Sequence, residues 1–289
     1  MKVIKLIILF IFSFYIYNYA QLSYAGKHNE ILSIRDDSID VNKLVLPDDV
    51  KNRITELHLY IENIDTLPGI IRDFNNIESL FLFYAKLKEL PQWLIYKKHL
   101  RFLEISGNEY KHFKEDLKIL GEMKIEGLRL AYLPIDTIPS EISGLKYLQD
   151  INFDELNDVA LPASFKTMES LTYVQISGNF KSNIDSIIGR MPNSLKELFI
   201  HRNDAGYIPS GIARLKNLNV LGFFFCNIKE IPKCLNSLEE LEVLILIGNK
   251  DIKEIPEYLN LPKLKTIYTE LDKNKTLEYR QKHPKVDVR

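Results

Sequence analysis

A spacing of apolar residues that recurs about every 23 positions is the feature that most constrains the fold of this chain. In the segment 77–99, IESLFLFYAKLKELPQWLIYKKH, the apolar residues follow the order L-x-x-L-x-L, then a turn, then L-x-x-L-P. The same order starts at ten residues: Ile54, Ile77, Leu100, Ile125, Leu148, Leu171, Leu195, Leu218, Leu241 and Leu264. Subtracting each residue number from the next gives intervals of 23, 24 or 25. This period predicts a repeat protein, because one short unit cannot bury its own apolar side and must stack on its neighbours.

The pattern resembles that of the leucine-rich repeat family, whose unit is one short strand followed by a turn or helical segment. Seven pairs of an apolar residue and a proline fall where the family places its L-P pair: Leu67-Pro68, Leu90-Pro91, Ile138-Pro139, Leu161-Pro162, Ile208-Pro209, Ile231-Pro232 and Ile255-Pro256. Proline fixes φ and suits the first turn of a helical segment. The resemblance implies an α/β solenoid, a right-handed horseshoe with a parallel sheet on its concave side and short helical or turn segments on its convex side.

Family repeats also carry an asparagine three residues after the third apolar position, where its amide satisfies backbone groups in the bend. Four repeats match this feature, at Asn108, Asn179, Asn203 and Asn249. Five others depart from it, with Glu62, Ala85, Leu133, Leu156 and Cys226. The interrupted asparagine ladder predicts turns that are less uniform than those of a consensus array.

The repeats divide the chain into four parts. Residues 1–25 resemble a secretory signal, with Lys2 and Lys5 before an apolar run of about a dozen residues, shorter than the ~20 that a membrane helix needs. Residues 26–53 are predicted to form an N-terminal cap, 54–271 about nine full repeats and one partial repeat, and 272–289 a C-terminal cap. In one longer repeat, FKEDLKILGEMK (113–124) has the spacing of an amphipathic helix.

Composition excludes some partners. The formal net charge is −1 and no basic stripe stands out, which argues against nucleic acid and against electrostatic membrane binding. We expect a monomer that is secreted, periplasmic or on the cell surface, with membrane contact only through an uncleaved leader. The two cysteines, Cys226 and Cys234, lie in one repeat; unpaired thiols are expected, and a disulfide is the alternative.

The most informative residues occupy the outward positions of the predicted strands. Side chains alternate across a sheet, so the leucines face the core and the residues between them face the concave surface. Large apolar groups there violate the apolar-in, polar-out pattern of a solvated sheet. We predict that a partner contacts twelve residues on this surface: Tyr60, Phe81, Phe83, Tyr84, Phe102, Arg129, Asp154, Phe199, His201, Phe224, Phe225 and Ile245.

The rings in mid-strand carry this prediction, because no covering layer is visible in the sequence. Phe81, Phe83, Phe199 and Phe224 are therefore expected to be open to solvent. The alternative is that aromatic residues simply suit strands and that the residues nearest the turns pack partly against their neighbours. Tyr84, Tyr132 and Phe225 hold those positions.

Polar residues separate the aromatic residues between Tyr60 and Phe102 from those between Phe199 and Phe225. These polar residues include Glu104, Arg129, Asp150, Asn152, Asp154, Glu155, Gln175, His201 and Arg202. The order Asp150-x-Asn152-x-Asp154 resembles part of a calcium loop. Alternate residues of a strand lie about 6.6 Å apart, however, and the glycine and distal glutamate of that loop are missing, so no metal is expected.

No catalytic motif is present, and no cofactor is expected. Asp154 and Glu155 are predicted to point to opposite faces, which makes them a poor acid and base pair. The sequence therefore predicts a non-catalytic module that binds a protein through its concave face. A carbohydrate ligand is the alternative, and an enzyme is a remote one.

Overall fold

The structure is a computed structural model that describes residues 30–35, 45–60, 64–84, 86–107, 109, 113–135, 137–156, 160–178 and 183–289. The predicted leader, residues 1–25, lies outside the described residues. So do four of the turn positions discussed above, Glu62, Ala85, Asn108 and Asn179.

In the described residues, twelve strands form one sheet, in which each strand pairs in parallel with the next one along the chain. The strands are β1 (Glu30–Arg35), β2 (Ile54–Tyr60), β3 (Ser79–Phe83), β4 (Phe102–Ser106), β5 (Gly127–Ala131), β6 (Asp150–Asp154), β7 (Tyr173–Ser177), β8 (Glu197–His201), β9 (Val220–Phe224), β10 (Val243–Ile245), β11 (Thr266–Tyr268) and β12 (Asp287–Val288). Unbroken chain order is the topology expected of a solenoid, in which each coil contacts only its neighbours.

The register of the sheet places equivalent residues of successive repeats side by side. Leu57 pairs with Leu80, and Leu80 pairs with Leu103, so each leucine stacks on its counterpart in the next coil. All three are at most 1% exposed. One continuous strip of buried leucine, isoleucine and phenylalanine therefore runs the length of the molecule behind the sheet.

The outer arms of the coils are short helical segments that begin after the predicted prolines. Six are 3₁₀ turns: Gly69–Asp73, Gln92–Tyr96, Ser140–Gly144, Ala163–Thr167, Ser210–Arg214 and Lys233–Ser237. In the first of them, the Ile71 amide donates to the Pro68 carbonyl at 3.1 Å. Since proline has no N–H and a fixed φ, it starts such a turn without leaving a donor unpaired.

Four α-helices complete the described structure: α1 (Asp48–Arg53), α2 (Phe113–Gly121), α3 (Ile184–Arg190) and α4 (Lys273–Lys282). The repeats that start at Leu100 and Leu171 are 25 and 24 residues long, and they carry α2 and α3 in place of a 3₁₀ turn. The predicted helix in 113–124 is thereby confirmed. It packs Phe113, Leu117 and Leu120 into the core strip.

Asn249 confirms the role that the family resemblance gave to asparagine in the bend. Its Oδ1 accepts from the amides of Cys226 and Ile228, both at 3.0 Å, and its Nδ2 donates to the carbonyls of Phe223 and Leu246. Cys226 holds the equivalent position one repeat earlier. It is fully buried, and its thiol donates to the carbonyls of Ile200 and Phe224.

The last residues lie across the end of the core strip. Asp272 caps α4 by accepting from the amides of Asn274 and Lys275, and β12 then pairs with β11. Tyr279 and Val288 are 7% and 2% exposed. The predicted fold class, an α/β leucine-rich-repeat solenoid with a parallel sheet, is confirmed, whereas the limits of the two caps stay predictions.

Candidate functional site

The face of the sheet that points away from the core strip corresponds to the predicted concave face, and we call it the open face. Its side chains form three parallel rows because the strands are in register. The first row contains Phe102, Gly127, Asp150, Tyr173, Glu197, Val220, Val243 and Thr266. The second contains His58, Phe81, Glu104, Arg129, Asn152, Gln175, Phe199, Gly222, Ile245 and Tyr268. The third contains Tyr60, Phe83, Ser106, Ala131, Asp154, Ser177, His201 and Phe224.

Five rings at the N-terminal end of this face form the N-terminal aromatic patch: His58, Tyr60, Phe81, Phe83 and Phe102. Tyr60 stacks on Phe83 with ring centroids 4.4 Å apart and an interplanar angle of 9°. Phe81 lies between His58 at 4.3 Å and Phe102 at 5.3 Å. His58 is a member that was not predicted from the sequence, although its outward position in β2 is the signal that identifies it.

The C-terminal apolar patch contains four buried residues, Phe199, Val220, Phe224 and Ile245, and four partly buried ones, Tyr173, Val243, Ile247 and Tyr268. The Phe199 ring lies 5.4 Å from that of Tyr173 and 6.3 Å from that of Phe224. His201 stacks on Phe224 at 4.3 Å with an angle of 3°. The patch is a second, smaller apolar cluster on the opposite side of the sheet from the core strip.

Glycines of the open face allow rings to lie flat on the sheet. A Cβ on Gly127 would lie 2.5 Å from Cδ2 of Phe102. A Cβ on Gly222 would lie 2.7 Å from both Cδ1 of Phe199 and Cε2 of Phe224. Any larger residue at these two positions would lift the rings off the sheet.

The prediction that the mid-strand rings stand open in solvent is wrong for most of them. Phe83, Phe199 and Phe224 are 5%, 6% and 4% exposed, and Ile245 is fully buried. Of the four mid-strand rings Phe81, Phe83, Phe199 and Phe224, only that of Phe81 is intermediate in exposure. The rings lie on the predicted face, but they cover one another because parallel strands place them only about 4.8 Å apart.

The residues nearest the turns pack partly against their neighbours, as the alternative expected, since the rings of Tyr84 and Phe225 lie over Gly107 and Gly248 of the next repeats; they are nevertheless the more exposed rings. Tyr84, Tyr132 and Phe225 are 48%, 48% and 58% exposed. Each has a φ between 51° and 55°, a left-handed conformation that bulky residues rarely adopt. Neighbouring repeats have glycines of positive φ in equivalent turns, Gly107 and Gly248. These exposed aromatic side chains form what we call the turn edge, beside the open face.

Between the two patches lies the polar centre, which consists of Glu104, Arg129, Asp150, Asn152, Asp154, Tyr173, Gln175 and Glu197. Arg129 Nη2 donates to Asp154 Oδ2 at 2.8 Å, and its Nε lies 3.7 Å from Glu104 Oε1. Asn152 donates to Asp150 Oδ1 at 2.8 Å. The Tyr173 hydroxyl donates to Gln175 Oε1 at 3.0 Å.

Burial changes the proton affinities of this centre. It raises the pKa of Asp150 to about 7, with a further contribution from the nearby Glu197. Burial also raises the pKa values of Glu104 and Glu197. In the opposite sense, burial and the adjacent Arg202 lower the pKa of His201 to about 4, so its imidazole is neutral at pH 7.

The twelve residues predicted to contact a partner fall into these regions. The N-terminal aromatic patch contains Tyr60, Phe81, Phe83 and Phe102. The C-terminal apolar patch contains Phe199, Phe224 and Ile245, with His201 stacked beside it. Arg129 and Asp154 lie in the polar centre, and Tyr84 and Phe225 on the turn edge.

Asp154 and Glu155 do not act together. Asp154 is buried beside Arg129 on the open face, whereas Glu155 turns away at the strand end and accepts from Arg202 at 3.2 Å. Within the described residues, no cluster of three or more histidine, cysteine or acidic residues has the geometry to hold a metal ion. Cys226 and Cys234 are both unpaired thiols.

Together, the repeat, the sheet topology and the asparagine in the bend define the class of protein: the chain is a leucine-rich-repeat solenoid. Receptor-like protein 35 of Arabidopsis thaliana is 27% identical over 219 residues, which are 71% of this chain and 23% of that protein. Disease resistance protein RPS4B of the same plant is 25% identical over 242 residues, 82% of this chain and 18% of that protein. The chain thus spans about a fifth of the length of these relatives.

Among solved structures, a leucine-rich repeat protein of Leptospira interrogans superposes with a TM-score of 0.52 at 19% identity. The superposition covers 86% of this chain and 81% of that one. This likeness shows the fold. No protein-family model matches the chain. None of the helices in the described residues is both long and apolar enough to cross a membrane.

Proposed function

We propose that this protein is a non-catalytic binding module that recognises another protein through its open face and the adjoining turn edge. The observation that carries the proposal is a sheet face with two apolar patches around a polar centre. No other element of the described residues is paired or packed over this face. Protein interfaces are enriched in aromatic residues and arginine around a desolvated centre, and this face has that composition.

The turn edge supports the same function on energetic grounds. A left-handed backbone costs an ordinary residue about 1–2 kcal/mol, which glycine avoids. The chain nevertheless has Tyr84, Tyr132 and Phe225 in this conformation, with their rings about half exposed. An exposed ring on a strained backbone is a poor choice for stability alone, and such strain is concentrated at binding sites.

A protein partner suits the rings better than a sugar does. Carbohydrate platforms need free ring faces, whereas Tyr60 and Phe83 cover each other in a stack. The resemblance of 1–25 to a secretory signal supports a location on the cell surface or outside the cell.

Site-specific photocrosslinking tests this function. Benzoylphenylalanine is introduced at Phe81, at Tyr84 or at Phe225, and as a matched control at Tyr96, which is 73% exposed on an outer arm. After irradiation of the secreted protein in its native setting, we expect one crosslinked protein from the first three positions and none of it from Tyr96.

Two results would count against the proposal. Equal crosslinking from Tyr96 would show that the interface is not specific to the open face and the turn edge. Binding of the unmodified protein on a glycan array, lost in a Tyr84→Ser and Phe225→Ser double variant, would replace the protein partner with a carbohydrate.

A further inference from the structure

Within the described residues, the polar centre holds more carboxyl groups than basic side chains. Four carboxyl groups of strands β4 to β8 lie on this part of the open face: Glu104, Asp150, Asp154 and Glu197. Arg129 is the one side chain of these strands that is cationic at pH 7 on this face, because His201 has its pKa lowered to about 4. Within the described residues, neither Asp150 nor Glu197 has a basic group at ion-pair distance.

Buried acceptor atoms in the same centre lack donors from the described chain. Asn152 Oδ1, Asp154 Oδ1 and Glu104 Oε1 accept no hydrogen bond there, although Glu104 Oε1 lies 3.7 Å from Arg129 Nε. The three residues are 7%, 2% and 3% exposed. Since buried acceptors are normally paired, these three indicate a surplus of acceptors in the polar centre. Asp150 and Glu197 are partly exposed, and their carboxyl groups are the ones that a cationic ligand rich in N–H donors can reach.

The flanking patches indicate that this cation belongs to a polypeptide. Strand β4, which carries Phe102, and strand β8, which carries Phe199, are four strand spacings apart, roughly 19 Å at about 4.8 Å each. About six residues of extended chain at roughly 3.3 Å each cover that distance. Because side chains alternate along an extended chain, a segment lying across the strands would place its first and seventh side chains on the two patches and its third or fifth side chain over the polar centre.

We propose that the polar centre binds an arginine or lysine side chain of an extended partner segment, whose neighbouring apolar residues lie against the N-terminal aromatic patch and the C-terminal apolar patch. This inference rests on the proposed function and gives it a partner chemistry. Arginine suits the site best, because its planar guanidinium presents five donors to carboxylate and amide oxygens.

The same arrangement predicts how binding depends on pH. Asp150 faces Arg129 of β5, Asn152 of its own strand, Tyr173 of β7 and, beyond it, Glu197 of β8. Its pKa of about 7 means that the free protein holds a proton there below neutrality. An arriving cation favours the carboxylate and releases that proton, so affinity should rise as the pH increases through about 7.

Four synthetic heptapeptides serve as probes. They have the form acetyl-FGGGXGF-amide, in which positions 1, 5 and 7 face the same side of an extended chain and X is arginine, lysine, glutamate or citrulline, the uncharged isostere of arginine. By isothermal titration calorimetry at pH 8, we expect the arginine peptide to bind at least tenfold more tightly than the citrulline peptide. We also expect the glutamate peptide to be the weakest and the advantage of arginine to shrink at pH 5.5.

Protein variants locate the effect. Asp150→Asn with Glu197→Gln should weaken the arginine peptide at least fivefold and leave the citrulline peptide unchanged. The double variant Asp251→Asn with Glu254→Gln removes the same charge from exposed positions outside the open face, and it should leave both affinities unchanged. Should the first variant fail to fold, the wild-type protein still tests the inference. The ratio of its affinities for the arginine and citrulline peptides should then fall between pH 8 and pH 5.5.

Equal affinity for the arginine and citrulline peptides would overturn this inference. If a Phe81→Ser variant then lost both peptides, the open face would still bind a polypeptide, so only the cationic preference would be withdrawn. Absence of binding by all four peptides at millimolar concentration would also overturn the inference. The photocrosslinking experiment would still test the proposed function independently.

Discussion

Individual glycines decide how the aromatic residues of the open face pack. Gly222 lies under Phe199 and Phe224, and Gly127 lies under Phe102. Because glycine has no Cβ, the rings of Phe102 and Phe199 cover the backbone of the next strand, and the ring of Phe224 covers that of its own strand. Phe199 and Phe224 are buried in this way, whereas Phe102 is partly exposed.

A pair of glycine substitutions tests this packing. Gly222→Ala places a Cβ 2.7 Å from two buried rings, and overpacking of this kind destabilises a protein by about 1–3 kcal/mol. Gly189→Ala is the matched control, because nothing lies within 4 Å of its added Cβ and it lies in helix α3. Gly189→Ala should raise the free energy of unfolding by about 0.5–1 kcal/mol. Urea unfolding measures both, and a neutral Gly222→Ala would show that the rings are not seated on the glycine.

Asp150 is expected to titrate near neutrality. Burial disfavours its charged form, so its pKa is about 7 in the folded protein, against an ordinary value of 3.8. Between these values the folded state binds the extra proton, and Asp150 therefore lowers the free energy of unfolding as the pH rises from about 4 to about 7. Its effect is constant above that range.

Carbon-13 NMR of the carboxyl groups checks this titration directly. We expect one aspartate signal with a midpoint near pH 7 that disappears in an Asp150→Asn variant. The variant should also flatten the fall in thermal stability between pH 4 and 7. A midpoint near 4 for this residue would contradict the desolvated polar centre.

At the scale of elements, each coil is closed by a turn whose buried backbone groups need partners. Asn249 serves four such groups, whereas Cys226 serves two carbonyls with its thiol. Leu133 and Leu156, at the same position in other repeats, are 3% and 1% exposed and have no polar atom to offer. Equivalent turns of this chain therefore differ in the side chains that hydrogen-bond to their buried backbone groups.

Replacing Asn249 should show how much such a turn contributes. Asn249→Ala leaves buried amides and carbonyls unpaired, and we expect a loss of about 3 kcal/mol or more in the free energy of unfolding. Asn76→Ala is the control, because Asn76 is exposed and donates one bond, to the Asn52 carbonyl at 2.8 Å. A loss of no more than about 1 kcal/mol is expected there. Similar losses for the two variants in urea unfolding would refute the role of the buried amide network.

The whole molecule is a stack in which every coil shields its neighbours, so its ends need separate protection. At the C-terminal end, helix α4 supplies Tyr279, whose ring stacks on His283 at 4.2 Å and is 7% exposed. In a stack of this kind stability depends on contacts between nearest neighbours. Damage at the end should therefore spread only a short distance.

Two substitutions in α4 test this locality. Tyr279→Ser removes a buried ring and should destabilise the C-terminal end by about 3 kcal/mol. Leu277→Ser, at a position that is 52% exposed, should change little. Hydrogen exchange is the measurement: in Tyr279→Ser we expect faster exchange in β11 and β12 and unchanged protection in β4 to β8. Uniform acceleration along the whole sheet would show global rather than local coupling.

The sequence by itself determined the solenoid. A period near 23 with L-x-x-L-x-L at each start fixes which residues face the core, because side chains alternate along a strand and neighbouring coils place identical positions together. It also placed the twelve predicted contact residues on the open face or its turn edge, and it indicated the extra helix in the 25-residue repeat.

Only the tertiary structure decided which of those residues are accessible and how they are charged. Phe199 and Phe224 are buried because Gly222, which lies on the same strand as Phe224 and pairs with Phe199 of the preceding strand, lets both rings lie down. For Phe199 this is a contact between repeats. The rings of Tyr84 and Phe225 stay about half exposed although they lie over Gly107 and Gly248 of the next repeats, which are also contacts between repeats. The raised pKa of Asp150 has the same origin, since desolvation depends on what surrounds a side chain in space rather than along the chain.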